Sequence, residues 1–188
     1  MNLKAYVAFT LLVLLATTFS PMIIVVATSN RGLYIVVTFP NLIYDVKPLL
    51  CNGDYIVSIA PTGIDPHEYQ LTPTNVEDLR KADIISIHVP LNENTRHMIR
   101  WEHFKMMKRG VFFINTSRGE VVDSDALVKA LNEGIVSSAG LDVVEDCLKN
   151  NEFFLKHERV IVTPHIGAST IDAQKNVSWR ILEGVVDV

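Results

Sequence analysis

Four short apolar runs punctuate the second half of the chain: residues 84–88 (IISIH), 111–115 (VFFIN), 138–142 (SAGLD) and 160–163 (VIVT). Each is too brief for a helix, is bounded by turn-forming residues and ends in polar side chains, which is the pattern of a buried strand. The first half carries two more, at 34–38 (YIVVT, stopped by Pro40) and 55–60 (YIVSIA). Between these two, Leu42, Ile43, Val46, Leu49 and Leu50 recur at helical period. A second helix is expected over 74–82, with Thr74 as N-cap and Glu77 three residues on, the spacing of a capping box. Strand, helix, strand, helix and strand in succession predict a parallel sheet with right-handed crossovers. Counting starts at Tyr34, Tyr55, Ile84, Val111, Ser138 and Val160 gives six strands. The expected fold is therefore α/β, a doubly wound and mainly parallel six-stranded sheet, whose ligands bind beyond the carboxyl ends of the strands.

Charge changes this picture little. The net charge of −4 over 188 residues leaves no footprint of a nucleic-acid partner. The one basic cluster, from Arg96 to Arg109, is interleaved with Met98, Ile99, Trp101, Phe104, Met106 and Met107, and reads as one amphipathic helix with a solvated face. Cys51 and Cys147 stand far apart, forming neither a zinc pattern nor a disulfide framework. The first thirty residues are different in kind. No charged side chain occurs between Lys4 and Arg31, and Ala5 begins a continuous apolar stretch behind a single lysine. That is the pattern of a secretory leader. With residues 22–27 included, it also exceeds the roughly twenty residues that span a bilayer, so an N-terminal membrane anchor is the competing expectation.

The stretch GIDPHEYQLTPTNVEDLRKAD, with YIVVTFPNLIYDVKPLL before it, resembles the metal-binding proteins of zinc and manganese ABC importers over about residues 33–83. The resemblance implies His67 as a zinc or manganese ligand and an importer permease as partner, at or beyond the membrane. No second ligand motif follows Asp83, and a tight zinc site needs three or four ligands. With those partners missing, His67 beside Asp65 and Glu68 reads more readily as a solvated loop histidine.

A longer resemblance covers about residues 82–188. ADIISIHVPLNENTRHMI, MMKRGVFFINTSRGEVVDSDALVKALNEG, SSAGLDVVED and VIVTPHIGAST, in this order, are similar to the C-terminal part of the NAD-binding domain of D-isomer-specific 2-hydroxyacid dehydrogenases. It implies a Rossmann-like fold, NAD as cofactor and a small 2-hydroxy or 2-keto acid as substrate, with a homodimer as a common assembly. Arg118 matches the family's substrate-binding arginine, whose guanidinium suits a carboxylate in a bidentate fork. His165 matches the catalytic acid/base, a role that needs a pKa near working pH. Val89 and Pro90 match the loop under the adenosine side; Thr116, Ser117 and Arg118 match contacts near the nicotinamide. Asp142 matches the aspartate near the carboxamide, and His165, Ile166, Gly167 and Ala168 close the site.

Two positions depart from that family. Its histidine is paired with a glutamate five residues after the aspartate of the GLDV motif; here that position is Cys147, with Glu145 and Asp146 as neighbours. The G-x-G-x-x-G fingerprint that takes a pyrophosphate is absent, and Thr38-Phe39-Pro40-Asn41 stands after the first strand. The expected organisation is a leader at 1–30, an importer-like half at 31–83 and a dehydrogenase-like half at 84–188, incomplete relative to either parent. The expected function is a dehydrogenase-like fragment, impaired because the fingerprint, the substrate domain and the glutamate are not found. An exported metal-binding module, or a chimeric product without activity, are the alternatives. The join falls near residues 81–86, and unmatched side chains facing each other across it predict marginal stability. Dehydrogenase chemistry would place the protein in the cytoplasm, and the leader would place it at the membrane or outside.

Overall fold

The six strands form where side chains can be buried on both faces of the sheet, the environment of parallel strands. They are β1 (Tyr34–Val37), β2 (Tyr55–Ser58), β3 (Ile84–Ile87), β4 (Val111–Asn115), β5 (Val136–Leu141) and β6 (Val160–Val162). The computed structural model describes residues 32–61, 73–145, 148–167, 169–171, 174 and 175. All pairings are parallel, in the order β2-β1-β3-β4-β5-β6. Alternation is strict: Val36, Ile85, Ile87, Val111 and Phe113 enter one core, and Ile35, Val37, Ile84, Phe112 and Ile114 the other.

Right-handed crossovers decide which face each helix covers. The chain turns back from β1 to β2 through α1 (Asn41–Val46), whose Val46 lies in the smaller core. It then crosses forward through α2 (Pro73–Lys81), α3 (Trp101–Met106), α4 (Ser124–Asn132) and α5 (Leu148–Lys156). Leu79, Phe104, Ala126, Leu127, Ala130, Leu131 and Phe154 from these four helices fill the larger core. Winding therefore reverses between β1 and β3, and the crevice at that switch point lies between the carboxyl ends of those two strands.

Four expectations are corrected in detail. The first helix stops at Val46 and passes into a 3-10 turn, Lys47–Leu49, because Pro48 has no N–H to continue the ladder. α2 begins at Pro73, so Thr74 is inside the helix instead of capping it; proline's fixed φ suits the first helical position. Glu77 pairs with Lys81 at 3.3 Å. The helix expected across 96–109 is only Trp101–Met106, since His97 takes a left-handed φ of 49° and Ile99 forms a bridge with Val122. β5 starts at Val136, two residues early, because a register shift between Val111 and Phe112 accommodates Ser137.

Packing is continuous across residues 79–87. Val36, Leu79 and Ala82 from one side and Ile85 and Ile87 from the other are all fully buried in one core. Asp83, at the amino end of β3, accepts from Tyr34 N at 2.9 Å and pairs with Lys108, tying β1 to the segment before β4.

Candidate active site

The loop after β4 is shaped by Asn115, the last residue of that strand. Its buried carboxamide oxygen accepts from Ser117 N at 3.0 Å and Ser117 Oγ at 2.7 Å, and its Nδ2 donates to Arg118 O at 2.9 Å. A side chain that mimics backbone in this way builds a tight turn without glycine. Arg118 leaves the turn exposed and extended, with Nη1 donating to Ser117 O at 2.7 Å. The remaining guanidinium donors make no bond among the described residues, so most of the fork stays open to an anion.

Gly119 then brings this loop against the one after β5. A Cβ there would lie 2.1 Å from Val144 C and 2.2 Å from Val144 O, closer than any side chain tolerates. Gly119→Ala is expected to force the loops apart, costing about 3 kcal/mol by overpacking. The shift of the urea midpoint measures it, and an unchanged midpoint would show the contact to be soft.

Asp142, at the carboxyl end of β5, joins the site together. Its backbone N donates to Asn115 O at 2.9 Å, and its own carbonyl accepts from His165 N at 2.9 Å. Its carboxylate, only 4 % exposed, accepts from Thr163 Oγ1 at 2.5 Å, Ile166 N at 2.9 Å and Gly167 N at 2.9 Å. Burial works against ionisation here. The Thr163 hydroxyl, the two amides and the nearby His165 outweigh it, and hold the carboxyl below its usual range. Oδ1 takes two of the three bonds and Oδ2 one, so Oδ2 retains a position for one further N–H.

His165 follows Pro164 at the end of β6 and is exposed, with a positive φ of 54°. For a non-glycine residue this is a sparsely populated conformation, of the kind that surrounding bonds must enforce. The two acceptors of its N–H, Asp142 O and Thr163 O, do so. Its imidazole has no hydrogen-bond partner among the described residues. Glu145 is not free to serve, because its Oε1 lies 2.7 Å from His97 Nε2. Asp146, Cys147, Ala168 and His67 fall outside the described residues. Among those described, no group of three His, Cys, Asp or Glu stands ready for a metal.

The crevice side of the site is lined differently. Val89 is buried at 5 % exposure, and Pro90 offers its carbonyl to Thr95 Oγ1 at 2.6 Å. Before them stands His88, clasped between hydroxyls: Nε2 lies 2.7 Å from Ser86 Oγ and Nδ1 2.9 Å from Thr116 Oγ1. Its backbone N donates to Thr38 Oγ1 at 2.8 Å, across the switch point. Burial lowers its pKa to about 4, so the ring is neutral. Asn115, His88, Thr38 and Gly119 are the organising residues that sequence reasoning missed. Only Asn115 had a signal, an asparagine closing an apolar run ahead of Thr-Ser.

Thr116, Ser117, Arg118, Asp142, His165, Ile166 and Gly167 are thus gathered at three adjacent strand ends, and the His88–Thr116 contact links Val89 and Pro90 to them. Known proteins are similar to this chain in sequence and in fold. The glyoxylate reductase of Thermococcus litoralis is 44% identical over 108 residues, which cover 57% of this chain and 33% of that protein. D-3-phosphoglycerate dehydrogenase 3 of Arabidopsis thaliana, a chloroplastic protein, is 49% identical over 107 residues, covering 56% and 18%. The chain therefore spans a third or less of the length of these curated relatives. Among solved structures, a D-lactate dehydrogenase from Aquifex aeolicus, complexed with NAD and lactic acid, superposes with a TM-score of 0.67 at 26% identity, covering 98% of this chain and 66% of that one. A D-lactate dehydrogenase from Treponema pallidum shares the fold with a TM-score of 0.69 at 23% identity, covering 96% and 63%. The family model described as the NAD binding domain of D-isomer specific 2-hydroxyacid dehydrogenases matches residues 47–167, from the end of α1 through the His165 loop, and by that match the chain belongs to this family.

Proposed function

We propose that this chain supplies the cofactor-facing half of an NAD-dependent oxidoreductase acting on a small 2-hydroxy or 2-keto acid. The observation that carries the reading is the bridging position of Asp142, which is bonded both to the Arg118 loop and to the His165 loop. That arrangement sets a carboxylate-binding cation and an acid/base histidine on either side of a carboxylate suited to an amide N–H. Bound NAD(H) would supply or take up the hydride. Arg118 would hold the substrate carboxylate through its open donors, and His165 would pass a proton to or from the substrate oxygen. With Glu145 engaged by His97 and Cys147 at the family's glutamate position, no described carboxylate is hydrogen-bonded to the His165 imidazole to orient it, so turnover should be slow.

The test is a titration of NADH into the full chain, followed by its oxidation with a panel of 2-keto acids. Saturable binding and slow oxidation are expected, with KM raised about 10- to 100-fold by Arg118→Ala, the loss of one charge-assisted grip. Neither binding nor oxidation would remove the reading. The second reading, an exported zinc or manganese module working with an importer permease, rests on the DPHEY stretch and the leader at 1–30, which carries no charge after Lys4. Zinc held by the chain and released by His67→Ala is the result that would favour it. A chain that binds neither NADH nor zinc would be the inactive chimera. Membrane targeting by the leader and assembly through this domain as a homodimer belong to the same proposal.

A further inference from the structure

Among the described residues, only one end of the cleft is built to grip a cofactor. In a dinucleotide site, the turn after the first strand presents backbone amides to the pyrophosphate, and a carboxylate at the end of the second strand takes the ribose hydroxyls. Here the turn after β1 is filled and already bonded. Thr38 Oγ1 accepts from His88 N, and Thr38 O accepts from Ala60 N at 3.1 Å. The Phe39 side chain packs on the larger core, and Pro40 has no N–H to give. The amides of Leu42 and Ile43 donate to Phe39 O at 3.2 Å and Pro40 O at 3.0 Å, closing the first turn of α1 on itself. That helix is six residues long, too short to lend a useful dipole.

Among the described residues, the ribose position is equally unprovided. β2 runs into Ser58-Ile59-Ala60-Pro61, with no carboxylate. The Ser58 hydroxyl donates inward, to Ala60 O at 2.8 Å and Thr38 O at 3.4 Å. Val89, on the adenosine side, is 5 % exposed and has little surface left for a base. At the other end of the cleft, Asp142 Oδ2 keeps a free acceptor position, and the 116–118 loop is held in place by Asn115.

We propose that this site recognises the mononucleotide half of the cofactor, a reduced nicotinamide mononucleotide, and that the adenosine half of NADH adds nothing to binding. The inference rests on the nicotinamide-dependent function proposed above and narrows its ligand. An ordinary dinucleotide site loses about tenfold or more in affinity for each charge-assisted phosphate or ribose bond removed. The described residues around β1 and β2 have none of them to lose.

The experiment is isothermal titration of the full chain with NADH and, separately, with reduced nicotinamide mononucleotide, with ADP-ribose as competitor. The two dissociation constants should agree within about threefold, and ADP-ribose should fail to displace NADH. NADH binding tenfold or more tighter than the mononucleotide, or displacement by ADP-ribose, would overturn the inference while leaving the NAD reading intact. Binding of neither nicotinamide ligand would overturn both.

Discussion

Asp142→Ala is expected to lower stability by about 3–4 kcal/mol, because three donors lose their acceptor at once and hydrogen bonds to a charged group contribute about 1.5–3 kcal/mol each, less than additively. The donors are Thr163 Oγ1, Ile166 N and Gly167 N. His165 is held at φ 54° partly by its bond to Asp142 O, which the substitution leaves in place. The carboxyl-terminal loop should therefore loosen at 166–167 first. Denaturant titration reads the stability, and amide exchange at Ile166 and Gly167 reads the loosening. Asp142→Asn separates charge from shape: its amide oxygen can still take Thr163 and Ile166, and its nitrogen cannot accept from Gly167. An alanine variant as stable as the parent would show that these bonds merely replace equally good ones to water.

The second large effect is acid sensitivity through His88. The unfolded imidazole takes up its proton near 6.5, and the folded one only near about 4. Between those values the unfolded chain binds more protons, so stability rises with pH. His88's contribution is complete above about pH 6.5 and is lost as pH falls towards 4, up to about 3 kcal/mol in all. Asp142 adds a loss of the same sign lower down: its folded pKa lies below 3.8, so its contribution fades as pH falls past that value. Urea midpoints at about pH 7.5 and 4.5 for the parent and for His88→Asn isolate the histidine. The parent should lose more stability than the variant. Equal losses would mean that the buried ring is protonated without cost.

The strands were legible because a sheet buried on both faces writes itself as short apolar runs, and because each run here ends in a turn residue. Arg118, Asp142 and His165 were legible for the same reason, since they stand at the ends of those runs. The failures have a common cause. The 96–109 segment has helical period, yet the pairing of Ile99 with Val122 holds its first turn open, and no local pattern reveals a partner 23 positions away. Thr38 and His88, 50 residues apart, meet only because β1 and β3 are neighbours across the switch point. Gly119 looked like any glycine in a turn, and its necessity comes from the Val144–Glu145 peptide bond packed against it. His67, Ala168 and Cys147 lie outside the described residues.

With Gly119 seated against Val144, the loops after β4 and β5 cannot hinge separately. A ligand that draws Arg118 inward must carry residues 143–145 with it, and the His97–Glu145 pair extends that linkage back to the segment before α3. The three pieces share a single mechanical coordinate. This half of the cleft therefore behaves as a fixed jaw, in which capture of an anion costs little ordering entropy because its geometry is set in advance.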